Sequence, residues 1–262
     1  MPISLVTNTL ATNANLPVSL SSADRRTIMA ANPAAWLLAD DQHIQTAVDD
    51  TAALIGDLTG KAWAPTLGQR PAVVAAGTTK ALRFAADNDG EQALTHVGDA
   101  DLLPASPHGL TIVALVKCAA GMAVDRSIIV GNQHATPLAL FVNNSDGKPY
   151  FMSKYNDGAK VMSGGTDLTV SAWRTVMVAI TSTAAGGQVF IDGVADNANS
   201  GNTFDWNASR KLIIGAAGAA GATGYFEGDL GALLVLPVDV RTDLTLLAAV
   251  NAEFAAEKAK RT

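Results

Sequence analysis

Two short stretches of this 262-residue sequence combine an aromatic ring with amide and carboxylate groups, the mixture of side chains that proteins use to bind sugars. The first stretch is Tyr155-Asn156-Asp157, and the second is the loop around Trp206. Aromatic rings pack on the apolar faces of sugars, while neighbouring polar groups bond the hydroxyls. Tyr155, Asn156, Asp157 and Trp206 are therefore candidate ligand-binding residues, and a core or sheet-edge position is the alternative for Trp206.

One stretch has the density of oxygen atoms that calcium prefers. Asp87, Asn88 and Asp89 follow one another and are succeeded by glycine and glutamate. Carboxylate and amide oxygens are hard ligands suited to Ca²⁺, but the stretch lacks the twelve-residue spacing of a calcium loop. Asp87, Asn88 and Asp89 are candidate metal ligands, with an ordinary turn as the alternative reading, and no other cofactor is expected.

The remaining motifs do not complete a catalytic set. Glu227-x-Asp229 resembles the start of a glycosidase carboxylate cluster, but Ala232 stands where the third acid is needed. Residues 56–61 are one residue short of a phosphate-binding loop, and the glycine-rich segment 215–224 contains no G-x-G. The four histidines show no i, i+4 pair, so surface or loop positions are expected for them. The sequence therefore predicts a protein that is not an enzyme.

Composition excludes several classes of protein. Hydrophobic residues make up 48% of the chain and charged residues only 16%, so disorder is not its dominant state. With 18 basic and 24 acidic residues and no basic stripe, nucleic-acid binding is not expected. No apolar run is long enough to predict a membrane span. The first residues lack a secretory signal and Cys118 is the single cysteine, which together predict folding in a reducing cytoplasm.

From about residue 110 to residue 236, short apolar runs alternate with turn signals. Residues 111–116 form a continuous apolar run, which is typical of a strand buried on both faces. Asparagine, aspartate and glycine separate the runs, as at 144–147 and 192–193. Many short strands without interleaved helices predict an all-β, antiparallel sandwich. The further predicted strands are 127–130, 138–142, 175–180, 188–191, 212–214 and 232–236.

Helical patterns flank the predicted strands. Residues 22–31 predict a short helix that ends before Pro33, within an arm (1–33) that either packs over the domain or reaches a neighbour. Residues 34–262 are predicted to form a single domain. Near the end of the chain, Asp243 or Thr242 is suited to cap a closing helix. The predicted apolar face of that helix comprises Leu246, Leu247, Val250 and Phe254.

These elements, taken in order, resemble the laminin G-like or concanavalin A-like jelly-roll family, in the form common in bacterial and phage proteins. The resemblance covers roughly residues 34–258 and implies a jelly-roll sandwich. The sequence departs from the family at Phe84-Ala85-Ala86-Asp87, where the first aspartate of F-D-G-x-D-D is missing. Some family members bind calcium at the rim, but their ligands do not map residue by residue onto this sequence. The matching motifs are Trp36-Leu37, Asp57-x-x-Gly60, Leu82-x-Phe84, Trp173, Val189–Gly193, Leu212–Gly215 and Phe226–Leu230.

The resemblance implies a fold more than a function, because the same sandwich serves lectins, glycosidases, adhesion modules and scaffolds. Family members mostly work outside cells, and a phage virion protein, made in the host cytoplasm and exposed on the particle, would need no secretory signal. The leading hypothesis is a non-enzymatic capsid decoration (head-associated) or tail-appendage subunit that contacts phage capsid or tail proteins and forms a homo-oligomer. The alternative is a lectin-like module that recognises a host-surface glycan through the candidate ligand-binding residues named above.

Overall fold

Two antiparallel β-sheets packed face to face make up most of the protein, as a computed structural model shows. The sandwich is an all-β jelly roll of the concanavalin A-like type, so the predicted fold class is confirmed. The structure describes residues 22–65, 70–85, 92–98, 102, 109–122, 126–132, 138–155, 158–181, 186–199, 204, 211–217 and 224–262, without the side chains of 154–160, 198 and 199.

The first sheet, sheet A, is built around two long apolar strands. Strand β8 (Gly109–Cys118) pairs with β13 on one edge and with β17 (Gly228–Leu236) on the other. Their apolar residues point alternately to both faces, and both faces are buried, as the continuous run at 111–116 predicts. The other strands of sheet A are β1 (Ala35–Leu38), β5 (Ala72–Ala76), β6 (Thr79–Phe84), β13 (Arg174–Thr181), β14 (Gly187–Ile191) and β15 (Val194–Asn199).

Among the residues that the structure describes, the second sheet, sheet B, contains nine strands in the order β12-β11-β10-β9-β16-β7-β4-β3-β2. Its first four strands form consecutive antiparallel pairs, so residues far apart in sequence become neighbours across the sheet. The strands are β2 (Ile44–Thr46), β3 (Ala52–Gly56), β4 (Ala62–Pro65), β7 (Leu94–His96), β9 (Arg126–Asn132), β10 (Leu138–Asn143), β11 (Pro149–Tyr155), β12 (Gly158–Ser163) and β16 (Leu212–Ile214).

Across the described residues, two helices cover the outer face of sheet A. Helix α1 (Ala23–Ala30) begins at Ser22, whose hydroxyl accepts from the backbone N–H of Arg25. After a 3₁₀ turn (Val240–Thr242), helix α2 (Leu244–Ala259) begins at Asp243, whose carboxylate accepts from two backbone N–H groups. Both predicted helices are confirmed, with Asp243 rather than Thr242 as the cap. In the described part of the chain, neither helix is long and apolar enough to cross a membrane.

The hydrophobic core has two main layers. The larger layer fills the space between the sheets, and the smaller one lies between sheet A and the helices, where Val250 and Phe254 pack on Leu115 and Leu234. Burying such a side chain contributes roughly 1.5–3 kcal/mol. Of the predicted apolar face of α2, Leu247 is only partly buried. The outer face of sheet B carries only small clusters of buried apolar residues, and neither α1 nor α2 packs on it.

One edge of β17 pairs first with one strand and then with another, and an arginine side chain occupies the gap between these two strands. This edge pairs with β6 at its start and with β1 further along, and Gly231 lies at the junction. The guanidinium of Arg261 enters the junction and donates to the carbonyls of Ala39 (3.0 Å) and Gly231 (2.8 Å). A Cβ atom at position 231 would lie 2.5 Å from Arg261 Nε, so the close approach requires glycine.

Buried ion pairs fasten α1 and α2 to this junction. The side chains of Arg261 and Glu257 are 0% and 2% exposed, and Arg261 Nη1 lies 2.8 Å from Glu257 Oε2. Glu257 also accepts from Lys260 and, across the helix pair, from Arg25, which in turn bonds Glu253 at 2.7 Å. The same charged cluster therefore holds both helices and the edge of sheet A.

Candidate functional site

A cleft opens on the outer face of sheet B, across β9, β10, β11 and β12. Three cross-strand pairs bring its walls together: Arg126 with Asn143, Phe141 with Tyr150, and Met152 with Val161. The cavity has a volume of about 490 Å³, within the range of about 300–1,000 Å³ that small-molecule sites occupy. We call it the aromatic cleft, and its described lining is Arg126, Phe141, Asn143, Asn144, Ser145, Tyr150, Met152 and Val161.

Two stacked rings form the centre of the cleft. The centroids of Phe141 and Tyr150 are 5.6 Å apart and their planes meet at 18°, which is an offset-stacked arrangement. Phe141 is 5% exposed and packs on Ile128 and Ala139, so it is a fixed support. Tyr150 is half-buried and lines the cavity. A sugar ring can therefore pack against a rigid aromatic surface.

Hydrogen bonds hold the Tyr150 ring in place. Its hydroxyl donates to Asp146 Oδ2 at 2.9 Å, and Asn143 is a second partner. The bond to Asp146 and partial burial raise the pKa of Tyr150 above its ordinary value, with Asn143 acting in the opposite direction. The hydroxyl is therefore a neutral group near neutral pH, and it is already oriented.

The turn between β10 and β11 places two polar side chains at the rim. Gly147 ends the turn with a φ of +67°, and a Cβ atom there would collide with the carboxylate of Asp167. The backbone N–H of Gly147 donates to the carbonyl of Asn143 at 2.8 Å, which closes the turn. Asn144 and Ser145 are consequently exposed at the mouth of the cleft, where an amide and a hydroxyl can bond sugar hydroxyls.

Arg126 supplies the one formal charge among the described lining residues. Its Cζ atom lies 5.6 Å from the centroid of Phe141, within the range of a cation–π contact. Asn143, directly across from it on β10, adds an amide to the same end of the cleft. The described lining therefore offers aromatic, amide, hydroxyl and guanidinium groups but no carboxylate pair for acid–base chemistry.

The candidates identified from sequence fall mostly outside the part of the chain that the structure describes. Tyr155 ends β11, where its backbone pairs with Gly158, but its side chain lies outside the described residues. The same holds for Asn156, Asp157 and Trp206, and the glycan-binding role of these four residues stays a prediction.

The calcium candidates Asp87, Asn88 and Asp89 also lie outside the described residues, so that site stays a prediction too. Within the described ranges, no group of three or more His, Cys, Asp or Glu residues is placed to hold a metal ion.

Sequence reasoning missed the residues that form the aromatic cleft. It identified the turn at 144–147 but gave Arg126, Phe141 and Tyr150 no role. Alternation offers a signal, because Phe141 and Asn143 before the turn and Tyr150 and Met152 after it occupy every second position. Such alternation puts all four residues on one face of a hairpin.

The motifs that resemble catalytic sites form hydrogen bonds within the fold. Asp229 forms two hydrogen bonds with the guanidinium of Arg83, at 2.7 and 3.0 Å. In the 56–61 segment, the buried Asp57 carboxylate accepts from two groups of Thr59 and from the indole of Trp63. These bonds explain both motifs as parts of the fold.

Of the two histidines that the structure describes, His96 ends strand β7 instead of lying in a loop, and His43 lies in a turn, as predicted. His43 is buried rather than on the surface, with Nδ1 2.6 Å from Asp40 Oδ1. Burial tends to raise the pKa of Asp40, yet the hydrogen bonds from His43 and from the backbone of Gln42 outweigh it and lower that pKa. The pair anchors the turn before β2.

A second cavity, of about 320 Å³, lies between α2 and the turn that joins β14 to β15. Its carboxylate, Asp192, is already bound by Arg174 and Lys258, each at 2.8 Å, and by the backbone N–H of Thr175. Because its principal charged group is satisfied, this cavity is the weaker candidate for a ligand site.

Comparison with known proteins supports the architecture. Residues 88–238 match the sequence profile of the concanavalin A-like lectin/glucanases superfamily. Similar solved structures include the binding domains of botulinum neurotoxin serotype D (TM-score 0.60, 10% identity), botulinum neurotoxin serotype G (0.60, 8%) and Paraclostridial Mosquitocidal Protein 1 (0.58, 10%). They cover 88%, 86% and 81% of this chain, which spans about half of each of them (53%, 51% and 52%). No curated protein sequence matches the chain.

Proposed function

This chain belongs to the concanavalin A-like lectin/glucanases superfamily, and from that premise we propose that it is a non-catalytic module that binds carbohydrate in the aromatic cleft. One observation carries the proposal: the ring of Tyr150, supported by Phe141 and oriented by Asp146, faces a cavity rimmed by the polar side chains of Asn144 and Ser145. The names of two similar solved structures, both binding domains of toxins, support a role in recognition.

The cleft suits the two kinds of surface that a sugar presents. A pyranose has apolar C–H faces and a rim of hydroxyls, so it binds best where a ring and hydrogen-bonding groups converge. Because Tyr150 is already stacked and hydrogen-bonded, little side-chain entropy is lost when a sugar binds. The neighbouring strands keep these groups at fixed spacing, unlike side chains on a long loop.

Glycan-array screening followed by titration calorimetry of the best ligand tests this proposal. We expect Tyr150→Ala to abolish measurable binding, whereas Tyr225→Ala leaves affinity unchanged. Tyr225 is the matched control, because it contacts a separate apolar cluster of Ala93, Ile213 and Ala216 and does not line the aromatic cleft. Circular dichroism establishes that both variants are folded. Absence of any glycan ligand, or equal affinity in wild type and Tyr150→Ala, would contradict the proposal.

We also propose that this module is displayed on a phage particle, as a capsid decoration or tail-appendage subunit. Helix α1 lies on the helix-covered side of sheet A. The aromatic cleft lies on the opposite side of the sandwich, so attachment through the helix-covered side would leave the cleft uncovered. This separation supports the proposal. In a fractionated phage lysate, antibodies against the chain should detect it in purified particles; detection only in particle-free fractions would refute it.

A further inference from the structure

The charge environment of Arg126 differs from that of most arginines in the described part of the chain. Acidic residues outnumber basic ones by 24 to 18, so a cation on this protein readily finds a carboxylate. Arg126 instead lies over the ring of Phe141, and no carboxylate among the described residues is within 4 Å of it. Five other arginines do form such ion pairs: Arg25, Arg83, Arg174, Arg241 and Arg261.

A guanidinium placed over an aromatic ring is suited to binding an anion. Contact with the ring pairs none of the guanidinium's N–H donors with an oxygen acceptor, so those donors can still bind an anion. Arg126 is exposed and lines the cleft, opposite the amide of Asn143. These two side chains can together bind two oxygen atoms of one planar or tetrahedral anionic group.

The nearest carboxylate on the turn does not occupy this position. Both oxygens of Asp146 accept hydrogen bonds, from the Tyr150 hydroxyl (2.9 Å) and from the backbone N–H of Lys148 (3.2 Å). Asp146 is not among the described residues that line the cleft. Its charge is therefore engaged by hydrogen bonds within the turn and forms no ion pair with Arg126.

From this arrangement we infer that the aromatic cleft takes an acidic sugar, with its carboxylate or sulfate on Arg126 and its ring against Tyr150. The inference rests on the proposed carbohydrate-binding function and adds the chemical class of the ligand. A carboxylate and a sulfate ester offer the same kind of oxygen acceptor to a guanidinium, so matched sugars must distinguish them.

Two pairs of sugars make the test: methyl glucuronide against methyl glucoside, and N-acetylglucosamine 6-sulfate against N-acetylglucosamine. Titration calorimetry or ligand-observed NMR gives each affinity. For at least one pair, we expect wild type to prefer the acidic member by about tenfold or more, the value of a charge-assisted hydrogen bond. The pair that shows the preference identifies the anionic group. Arg126→Gln should remove this preference, so that the acidic and neutral members of the pair bind with equal affinity.

Lys117→Gln is the matched control, because it removes the same charge from β8 in sheet A, which does not line the cleft, and should keep the preference. Equal affinity for acidic and neutral members in wild type, or a preference that survives in Arg126→Gln, would overturn the inference but leave the proposed function intact. If no sugar of either pair binds and glycan screening also finds no ligand, both the proposed function and this inference fail.

Discussion

Replacing Arg261 with methionine should strongly destabilise the protein. The side chain is fully buried, and its guanidinium donates four hydrogen bonds at 2.8–3.0 Å, two to Glu257 and one each to the carbonyls of Ala39 and Gly231. Methionine fills a similar apolar volume but supplies no donor, so the substitution isolates the polar contribution.

The expected magnitude follows from what the substitution leaves behind. Removing one partner of a buried ion pair costs about 3–5 kcal/mol, because the other charge stays buried and poorly compensated. Glu257 keeps Lys260 and Arg25 as partners, which favours the lower end of this range. For a chain of this size, the loss corresponds to a fall in Tm of roughly 6–20 °C.

Urea unfolding followed by circular dichroism measures the change in the free energy of unfolding. The control is Lys80→Met, which breaks an exposed pair with Asp41 at 3.8 Å and should cost about 1 kcal/mol or less. In the double variant Glu257→Met/Arg261→Met, the cost should be smaller than the sum of the two single effects, since neither charge is then left buried alone. An Arg261→Met effect no larger than that of Lys80→Met would refute the idea that this guanidinium holds the junction in sheet A.

Three further predictions concern individual carboxylates and one tyrosine. Burial tends to raise the pKa of Glu257, but the hydrogen bonds and charges of Lys260 and Arg261 outweigh it and lower that pKa below 4.5. The contribution of Glu257 to stability is therefore present above pH 4.5 and is lost as pH falls through its folded-state pKa. In unfolding experiments, Glu257→Gln should reduce this acid limb, the loss of stability at low pH. Asp57→Ala removes the acceptor of the buried Trp63 indole N–H and of the partly buried backbone N–H groups of Thr59 and Lys61, and it should cost about 3 kcal/mol in urea unfolding. In an absorbance titration, Tyr150 should ionise above pH 10.0, and Asp146→Asn should move this transition towards 10.0.

A specific experimental result would contradict each of these three predictions. A steep acid limb that persists in Glu257→Gln would assign the loss of stability to other carboxylates. A cost for Asp57→Ala below that of an exposed substitution would show that water replaces the lost acceptor. An unchanged alkaline transition in Asp146→Asn would mean that the bond to Tyr150 contributes nothing to its pKa, and that the ring is not held as described.

The positions of many strands could be predicted from the sequence, but the order in which the strands pair could not. The runs at 111–116 and 232–236 were predicted because both faces are buried and the apolar residues are continuous. Strands such as β2 and β7 are three residues long, which is too short to show an alternation of apolar and polar residues. The order of strands depends on pairings between distant segments, which no local pattern specifies.

The aromatic cleft could not be predicted from local sequence patterns, for a related reason. Arg126 and Asn143 lie on different strands and meet only because β9 and β10 pair in one register. A shift of that register by one residue would move Phe141 to the other face of the sheet. By contrast, the turn at 144–147 was visible, because asparagine, aspartate and glycine have local reasons to form it.

The most direct test of carbohydrate binding in the aromatic cleft is an amide NMR titration of the full chain with a glycan that binds it. We expect the shifts to concentrate on the backbone amides of Asn143, Ser145, Tyr150 and Met152, while those of α2 stay unchanged. Shifts centred on the second cavity instead, at Asp192 and Asn251, would contradict it.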